Sequence, residues 1–78
     1  MSGVTTRRMK YQLMNTVSQQ RKTKSVTQEE LADKVNVSRQ TIIAIEKGNY
    51  TPSVLLALKI SHYFRTQVED IFTLQYEK

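Results

Sequence analysis

The sequence contains no cysteine and no tryptophan, one proline and two glycines, and its 78 residues are 8% aromatic. Without cysteine, neither a disulfide framework nor a thiolate metal site can form, which fits the cytoplasmic location that we expect. No apolar run approaches the roughly 18 residues of a membrane-spanning helix, and no signal-peptide core is visible. The single histidine, His62, has no second histidine and no carboxylate cluster nearby in the sequence. We therefore expect no metal, no cofactor, no small-molecule ligand and no membrane partner.

The sequence also lacks the usual signs of an enzyme. There is no glycine-rich loop to cradle a phosphate, because the two glycines stand far apart in the chain. No serine or threonine has an obvious general base beside it, and cysteine is absent. Nothing in the sequence therefore indicates catalysis.

Positive charge is in excess, with a formal net charge of +5. Residues 1–24 contain six lysines or arginines and no acidic residue. Such a balance favours a polyanionic partner, although solubility alone would also account for it. Residues 1–11 show no apolar periodicity and are interpreted as a flexible basic extension before a domain at 12–78.

Residues 26–50 predict two short helices joined by a tight turn. Thr27 and Glu30 form the pattern of a capping box, which opens the first helix. Asn36 is expected to end it in a left-handed conformation, and Ser38 to cap a second helix at residues 39–47. Gly48 follows as the C-cap. The apolar positions expected in the core are Leu31, Ala32, Val35, Ile42 and Ile45.

Weaker patterns surround this pair of helices. A first helix, capped by Asn15 or Thr16, is expected to end near Lys24 with Val17 as its clear apolar anchor. Further helices are expected at about residues 53–64 and 68–72, and short strands at 11–14 and 73–76. The buried face expected for residues 53–64 is Val54, Ala57, Leu58, Ser61 and Phe64, and that expected for residues 68–72 is Val68, Ile71 and Phe72.

Two short helices, the second opening with polar side chains, are the layout of a helix-turn-helix that inserts one helix into the major groove of DNA. Arg39 can donate two hydrogen bonds to guanine, and Gln40 can pair with adenine. Thr41 can contact a thymine methyl group or a phosphate. Ile43 can touch a thymine methyl or pack against a neighbouring loop, and Ala44 is small enough to let the helix enter the groove.

A second set of polar residues flanks these expected base contacts. Gln28, at the start of the preceding helix, can hold a phosphate through its backbone N–H and its side-chain amide. The other residues expected at the DNA backbone are Ser38, Lys47, Asn49, Tyr50 and Thr51. For each of them, surface solvation or loop packing is the alternative.

The segment TQEELADKVNVSRQTIIAIEKG resembles the helix-turn-helix of the Cro and phage-repressor family, also called the XRE family. The segments SRQTI, IEKGNYTPS, LALKIS and VEDIF, in this order and spacing, resemble the small dimeric repressors typified by the cytolysin repressor. This resemblance implies a mainly α, five-helix, lambda-repressor-like domain with a small two-stranded antiparallel sheet made from the chain ends. It also implies a homodimer that binds a palindromic operator.

The resemblance further pairs Arg21 with Glu46, as a structural ion pair between the first helix and the recognition helix. The chain departs from the family pattern where relatives often carry glycine, at Ser25, Asn36 and Arg65. Arg65 would cost about 1 kcal/mol if its φ is positive, and a longer loop would avoid this cost.

Leu55 falls at a position that is commonly polar in relatives. Together with Ile60, Tyr63 and the C-terminal Leu74, it can build an apolar surface for a second copy of the chain. We therefore expect Leu55 and Leu74 at a dimer interface.

These patterns lead to a DNA-binding transcriptional regulator, with a repressor of double-stranded operator DNA as the first hypothesis. The alternative is an antitoxin, which is a protein-interaction module that also binds DNA. A lysis–lysogeny switch without a ligand domain is a further possibility that the sequence does not separate from the first.

Overall fold

The computed structural model describes residues 10–77, with the backbone alone at Glu77. Residues 1–9 of the predicted flexible extension 1–11 lie outside these described residues. The elements in chain order are β1 (Lys10–Asn15), α1 (Val17–Thr23), α2 (Gln28–Lys34), α3 (Arg39–Glu46), α4 (Val54–Phe64), α5 (Val68–Ile71) and β2 (Phe72–Glu77). Five helices and one two-stranded antiparallel sheet confirm the predicted fold class.

The sheet joins the two ends of the described chain, since β1 pairs with β2 from Lys10↔Glu77 to Asn15↔Phe72. Both strands were expected, at residues 11–14 and 73–76, and each is one residue longer at both ends. Lys10 and Tyr11, which were assigned to the flexible extension, therefore belong to the sheet. Residues directly opposite each other share one face of an antiparallel pair. One face is therefore apolar, and the rings of Tyr11 and Tyr76 lie on it with their centroids 5.6 Å apart.

The capping residues of the helix-turn-helix adopt the predicted conformations. The Thr27 hydroxyl accepts from the Glu30 N–H at 3.0 Å, and the Glu30 carboxylate accepts from the Thr27 N–H at 2.8 Å. Asn36 follows α2 with a φ of 63°, and the Ser38 hydroxyl accepts from the Thr41 N–H at 3.2 Å. Gly48 has a φ of 80° after α3. Local side-chain chemistry therefore fixes where α2 ends and α3 begins.

One compact apolar core lies between the five helices. Val17 anchors α1 in it, as expected, and the helix-turn-helix contributes the predicted residues of α2 and α3. The remaining core residues come from α4 and α5. Its members are Val17, Leu31, Ala32, Val35, Ile42, Ile45, Leu56, Ile60, Phe64 and Ile71.

The face of α4 that enters this core differs from the predicted one. Val54 and Leu58, expected to be buried, are 76% and 50% exposed, whereas Leu56 and Ile60 are buried. The prediction was wrong because apolar residues lie on both sides of this helix, and two tracks with helical spacing were available. Within α5 and its C-terminal neighbour, Ile71 is buried as expected, while Val68 and Phe72 are only half-buried.

Arg65 ends α4 in the left-handed conformation, with φ 56° and ψ 44°. The expected positive φ is therefore present, and a residue with a Cβ atom occupies a conformation that glycine adopts more readily. The Lys24 ammonium donates to the Phe64 carbonyl at 2.9 Å, so the α1–α2 turn is tied to the same helix end.

An ion pair joins α1 to the last residue of α3. Arg21 Nε donates to Glu46 Oε2 at 2.7 Å, and Arg21 Nη2 donates to Glu46 Oε1 at 3.2 Å. The two side chains are 11% and 9% exposed. Gln28 Nε2 donates to Glu46 Oε1 at 3.0 Å, and Arg21 Nη1 donates to the Val26 carbonyl at 2.9 Å. We call Arg21, Gln28 and Glu46 the brace, because the three side chains connect α1, α2 and α3.

Two opposing influences act on the carboxyl group of Glu46. Burial alone would raise its pKa, but hydrogen bonds from Arg21 and Gln28 lower it, and so do the charges of Arg21 and Lys22. The net result is a pKa below the ordinary value of 4.5. The folded protein therefore favours the ionised form of Glu46.

Replacing Arg65 with glycine should stabilise the domain, because glycine has no Cβ atom to oppose a positive φ. We expect a gain of about 1 kcal/mol, which is roughly 4–8 °C in Tm for a domain of this size. Thermal unfolding followed by circular dichroism measures it. The control is Gln67→Gly in the same loop, where φ is −72°. Gln67→Gly should lower Tm, because it only makes the unfolded chain more flexible. A Tm for Arg65→Gly at or below that of wild type would show that Arg65 is not strained.

Replacing Glu46 with alanine should destabilise the fold by roughly 3–5 kcal/mol, because it leaves the guanidinium of Arg21 without its partner in a mostly buried site. Urea unfolding at neutral pH measures this loss. The control is Asp33→Ala, which removes an exposed carboxylate from α2 and should change stability by no more than about 0.5 kcal/mol. Equal effects of the two substitutions would show that the brace contributes no more than a surface ion pair.

The pH dependence provides a second measurement on the same carboxyl group. Because its pKa is lowered by folding, Glu46 stabilises the protein above the ordinary value of 4.5, and this stabilisation is lost as pH falls through the lower folded pKa. The stability difference between wild type and Glu46→Gln should therefore shrink from about pH 7 to about pH 3. A difference that grows with acidification would have the wrong sign for this pair.

Candidate DNA-binding surface

The N-terminal end of α3 presents polar side chains to solvent. Arg39 and Gln40 are exposed, and Thr41 is half-buried. The Ser38 and Thr41 hydroxyl groups are 3.0 Å apart and share a hydrogen bond, which holds both side chains at the helix start. The structure thus brings the three residues expected to contact bases together at one end of α3.

The opposite face of α3 is locked into the protein. Ile42 and Ile45 are buried, and the Asn15 side chain of β1 donates from Nδ2 to the Ile45 carbonyl at 2.9 Å. Ile43 and Ala44 are half-buried and follow Arg39 and Gln40 at helical spacing. A helix held along its rear face has a fixed outer face to offer a ligand.

The segment after α3 is exposed and turns sharply. The Asn49 N–H donates to the Ala44 carbonyl at 2.9 Å, which closes the turn around Gly48. The expected phosphate contacts of this segment, Lys47, Asn49, Tyr50 and Thr51, are all exposed. They form a short polar rim immediately beyond the recognition helix.

Gln28 differs from the other expected phosphate contacts because it is partly buried and already bonded to another side chain. Its side chain is half-buried, and one amide hydrogen is used in the hydrogen bond to Glu46. An amide nitrogen carries two hydrogens, so one remains to donate elsewhere. The residue therefore connects the brace to the surface at the start of α2.

The two leucines expected at a dimer interface are both exposed, Leu55 by 64% and Leu74 by 68%. Leu55 lines a groove between α4 and α5 together with Leu58 and Val68, whereas Leu74 lies on the apolar face of the sheet. Ile60, expected beside them, is instead fully buried in the core and cannot contribute to an outer surface. The exposure of Leu58 was missed, because it was assigned to the buried face of α4.

Within residues 10–77, no group of three metal-ligating side chains is brought together, and His62 is exposed on α4. None of the helices in this part of the chain is long and apolar enough to cross a membrane.

The sequence matches the helix-turn-helix family HTH_3 over residues 17–71. An uncharacterized HTH-type transcriptional regulator of Methanocaldococcus jannaschii is 62% identical over 48 residues, which are 62% of this chain and 73% of the relative. The uncharacterized HTH-type transcriptional regulator YgzD of Bacillus subtilis is 48% identical over 65 residues, which are 83% of this chain and 98% of the relative.

A solved structure has the same fold at lower sequence similarity. The transcriptional regulator VanUg aligns with a TM-score of 0.72 and 19% identity, over 95% of this chain and 99% of that one. The family match covers all five helices, from the first residue of α1 to the last residue of α5. The chain therefore belongs to the HTH_3 family of Cro/C1-type (XRE) helix-turn-helix DNA-binding domains.

Proposed function

We propose that the protein is a transcriptional repressor that binds a palindromic operator as a homodimer. The observation that supports this most directly is the division of α3 into two faces. Ile42 and Ile45 fix its rear in the core, while Arg39 and Gln40 stand free at its N-terminal end. A rigid helix with free donors at its N-terminus suits the major groove of duplex DNA.

Arg39 and Gln40 are proposed as the main base-reading residues. The guanidinium of Arg39 presents parallel donors for guanine O6 and N7, and the amide of Gln40 matches adenine N6 and N7. Thr41, Ile43 and Ala44 are proposed to make close contacts along the same face. Of these, Ile43 is suited to a thymine methyl group because it is apolar and only half-buried.

The proposed phosphate contacts surround this base-reading face. Ser38 lies at its start, and the rim after α3 lies at its end. Contacts at both ends would set the register of the helix in the groove, since phosphate contacts orient a protein without reading sequence. The residues in this role are Gln28, Ser38, Lys47, Asn49, Tyr50 and Thr51.

The homodimer is proposed to form through exposed apolar surface outside the helix-turn-helix. The groove between α4 and α5 is lined by the apolar Leu55, Leu58 and Val68 and by two opposite charges, Lys59 and Glu69. In a twofold interface, the same patch meets itself, so opposite charges on one patch can pair across the axis. Leu74 is proposed to extend the contact. Two recognition helices would then reach half-sites about one helical turn apart.

Replacing Arg39 with alanine should remove operator preference and leave residual non-specific binding. The operator is first selected from a random duplex pool, and affinities are then measured for it and for a scrambled duplex at two salt concentrations. We expect a loss of about 10- to 100-fold on the operator, because a bidentate contact contributes about 1–3 kcal/mol of discrimination.

The matched control is Arg65→Gly, which removes an equal charge from the far end of α4 and should keep the operator preference. If Arg39→Ala weakened binding to both duplexes by the same factor, Arg39 would be a phosphate contact only. If wild type showed no preference for any selected sequence, the proposed operator binding itself would be wrong.

Replacing Leu55 with glutamate should weaken the dimer, because it would place a charge in the apolar centre of the proposed interface. Sedimentation equilibrium should show at least about a tenfold rise in the dimer Kd. Val54→Glu is the control, since Val54 is an even more exposed apolar neighbour on α4 that does not line the groove. Equal dimer Kd values for the two variants would remove Leu55 from the interface.

A further inference from the structure

An open cleft of about 700 Å³ lies between the α1–α2 turn and the start of α3. Gln28 and Arg39 are the proposed DNA contacts that line it, and the other lining residues have no role in the proposed DNA binding so far. It brings together side chains that are distant in sequence, since Lys22 belongs to α1 and Arg39 to α3. The residues lining it are Arg21, Lys22, Ser25, Val26, Thr27, Gln28, Glu29 and Arg39.

The charges around the cleft are unevenly neutralised. Arg21 is already paired with Glu46 in the brace. Lys22 and Arg39 are exposed, and within residues 10–77 neither forms a salt bridge with a carboxylate. The remaining acidic group at the cleft is Glu29. Positive charge therefore predominates, and the cleft suits a ligand with a single negative charge.

Hydrogen-bond donors are available in the same place. The Thr27 hydroxyl accepts from the Glu30 N–H, which leaves its own proton free to donate. Gln28 has the second hydrogen of its amide nitrogen, because the first is bonded to Glu46. Ser25 adds another hydroxyl group. Two cationic side chains and neutral donors around one opening are the groups that proteins use to hold a phosphate oxygen.

We propose that this cleft holds one phosphate of the DNA backbone and that Lys22 is its main cationic contact. The proposal rests on the proposed function, because it assigns the phosphate to the same duplex that α3 reads. Arg39 borders both the cleft and the groove-facing end of α3. The phosphate is assigned to Lys22 and the base contact to Arg39, so Lys22 supplies affinity on any duplex without reading sequence.

The first experiment compares wild type, Lys22→Gln and the control Lys34→Gln on the selected operator and on a scrambled duplex over a range of salt. Lys22→Gln should lose about five- to tenfold in affinity on both duplexes, and its salt slope should fall by about one. Lys34 is exposed at the end of α2 and does not line the cleft, so its substitution should leave the slope unchanged. Thermal unfolding of each variant shows whether the fold is retained.

The second experiment replaces single operator phosphates with neutral methylphosphonates. One replacement should weaken wild type by the same factor as Lys22→Gln, and it should cost Lys22→Gln almost nothing, because the interaction is already lost. Inorganic phosphate at the concentration of duplex phosphate should not compete, since a free ion lacks the other contacts of the duplex. Competition at that concentration would reassign the cleft to free phosphate.

Different results would contradict the Lys22 contact and the proposed binding of an operator. If wild type binds its operator selectively but every methylphosphonate affects wild type and Lys22→Gln equally, the Lys22 contact is wrong and the repressor proposal stands. An unchanged salt slope in Lys22→Gln would have the same meaning. If wild type selects no duplex, the proposed function fails before the cleft is tested.

Discussion

The orientation of the recognition helix depends on the ion pair between Arg21 and Glu46. Two nitrogens of one guanidinium hold both oxygens of one carboxylate, and Gln28 adds a third donor to it. A short helix in a small domain has few apolar contacts to define its angle, whereas this arrangement fixes direction as well as distance. Because Glu46 is the last residue of α3, the pair acts at the end opposite to Arg39. The polar groups of the brace thus determine how the proposed reading end is presented.

The apolar core of a domain of this size is small, so polar contacts between helices and strands do much to fix their relative positions. Asn15 connects β1 to the end of α3, and Lys24 connects the α1–α2 turn to the end of α4. Each link satisfies a carbonyl at a helix end, where the backbone has no partner within the helix. The same groups that complete the helices therefore also position them relative to one another. Arg65, in contrast, destabilises its helix end, since it has a Cβ atom and occupies a left-handed conformation that glycine adopts more readily.

Features encoded by neighbouring residues were predictable from the sequence, and features encoded by packing were not. The capping box of Thr27 and the left-handed turn at Asn36 follow from local chemistry, and both were correct. The buried face of α4 was wrong, because its apolar residues allow two helical tracks and only the surrounding helices select Leu56 and Ile60. Lys22 gave no signal beyond its charge, since its proximity to Arg39 arises from the turn between α1 and α2.

The sheet that joins the two ends of the described chain has a consequence for how the protein is made. β1 has no partner until β2 has been synthesised, and α1 begins with the Thr16 N–H bonded to the Ile71 carbonyl. Contacts between residues so far apart in the sequence close a long loop. They form late in folding, because closing a long loop costs conformational entropy. The helix-turn-helix can assemble locally as it leaves the ribosome, but β1 can pair only after β2 has also been made. The sheet is therefore the last part of the domain to form.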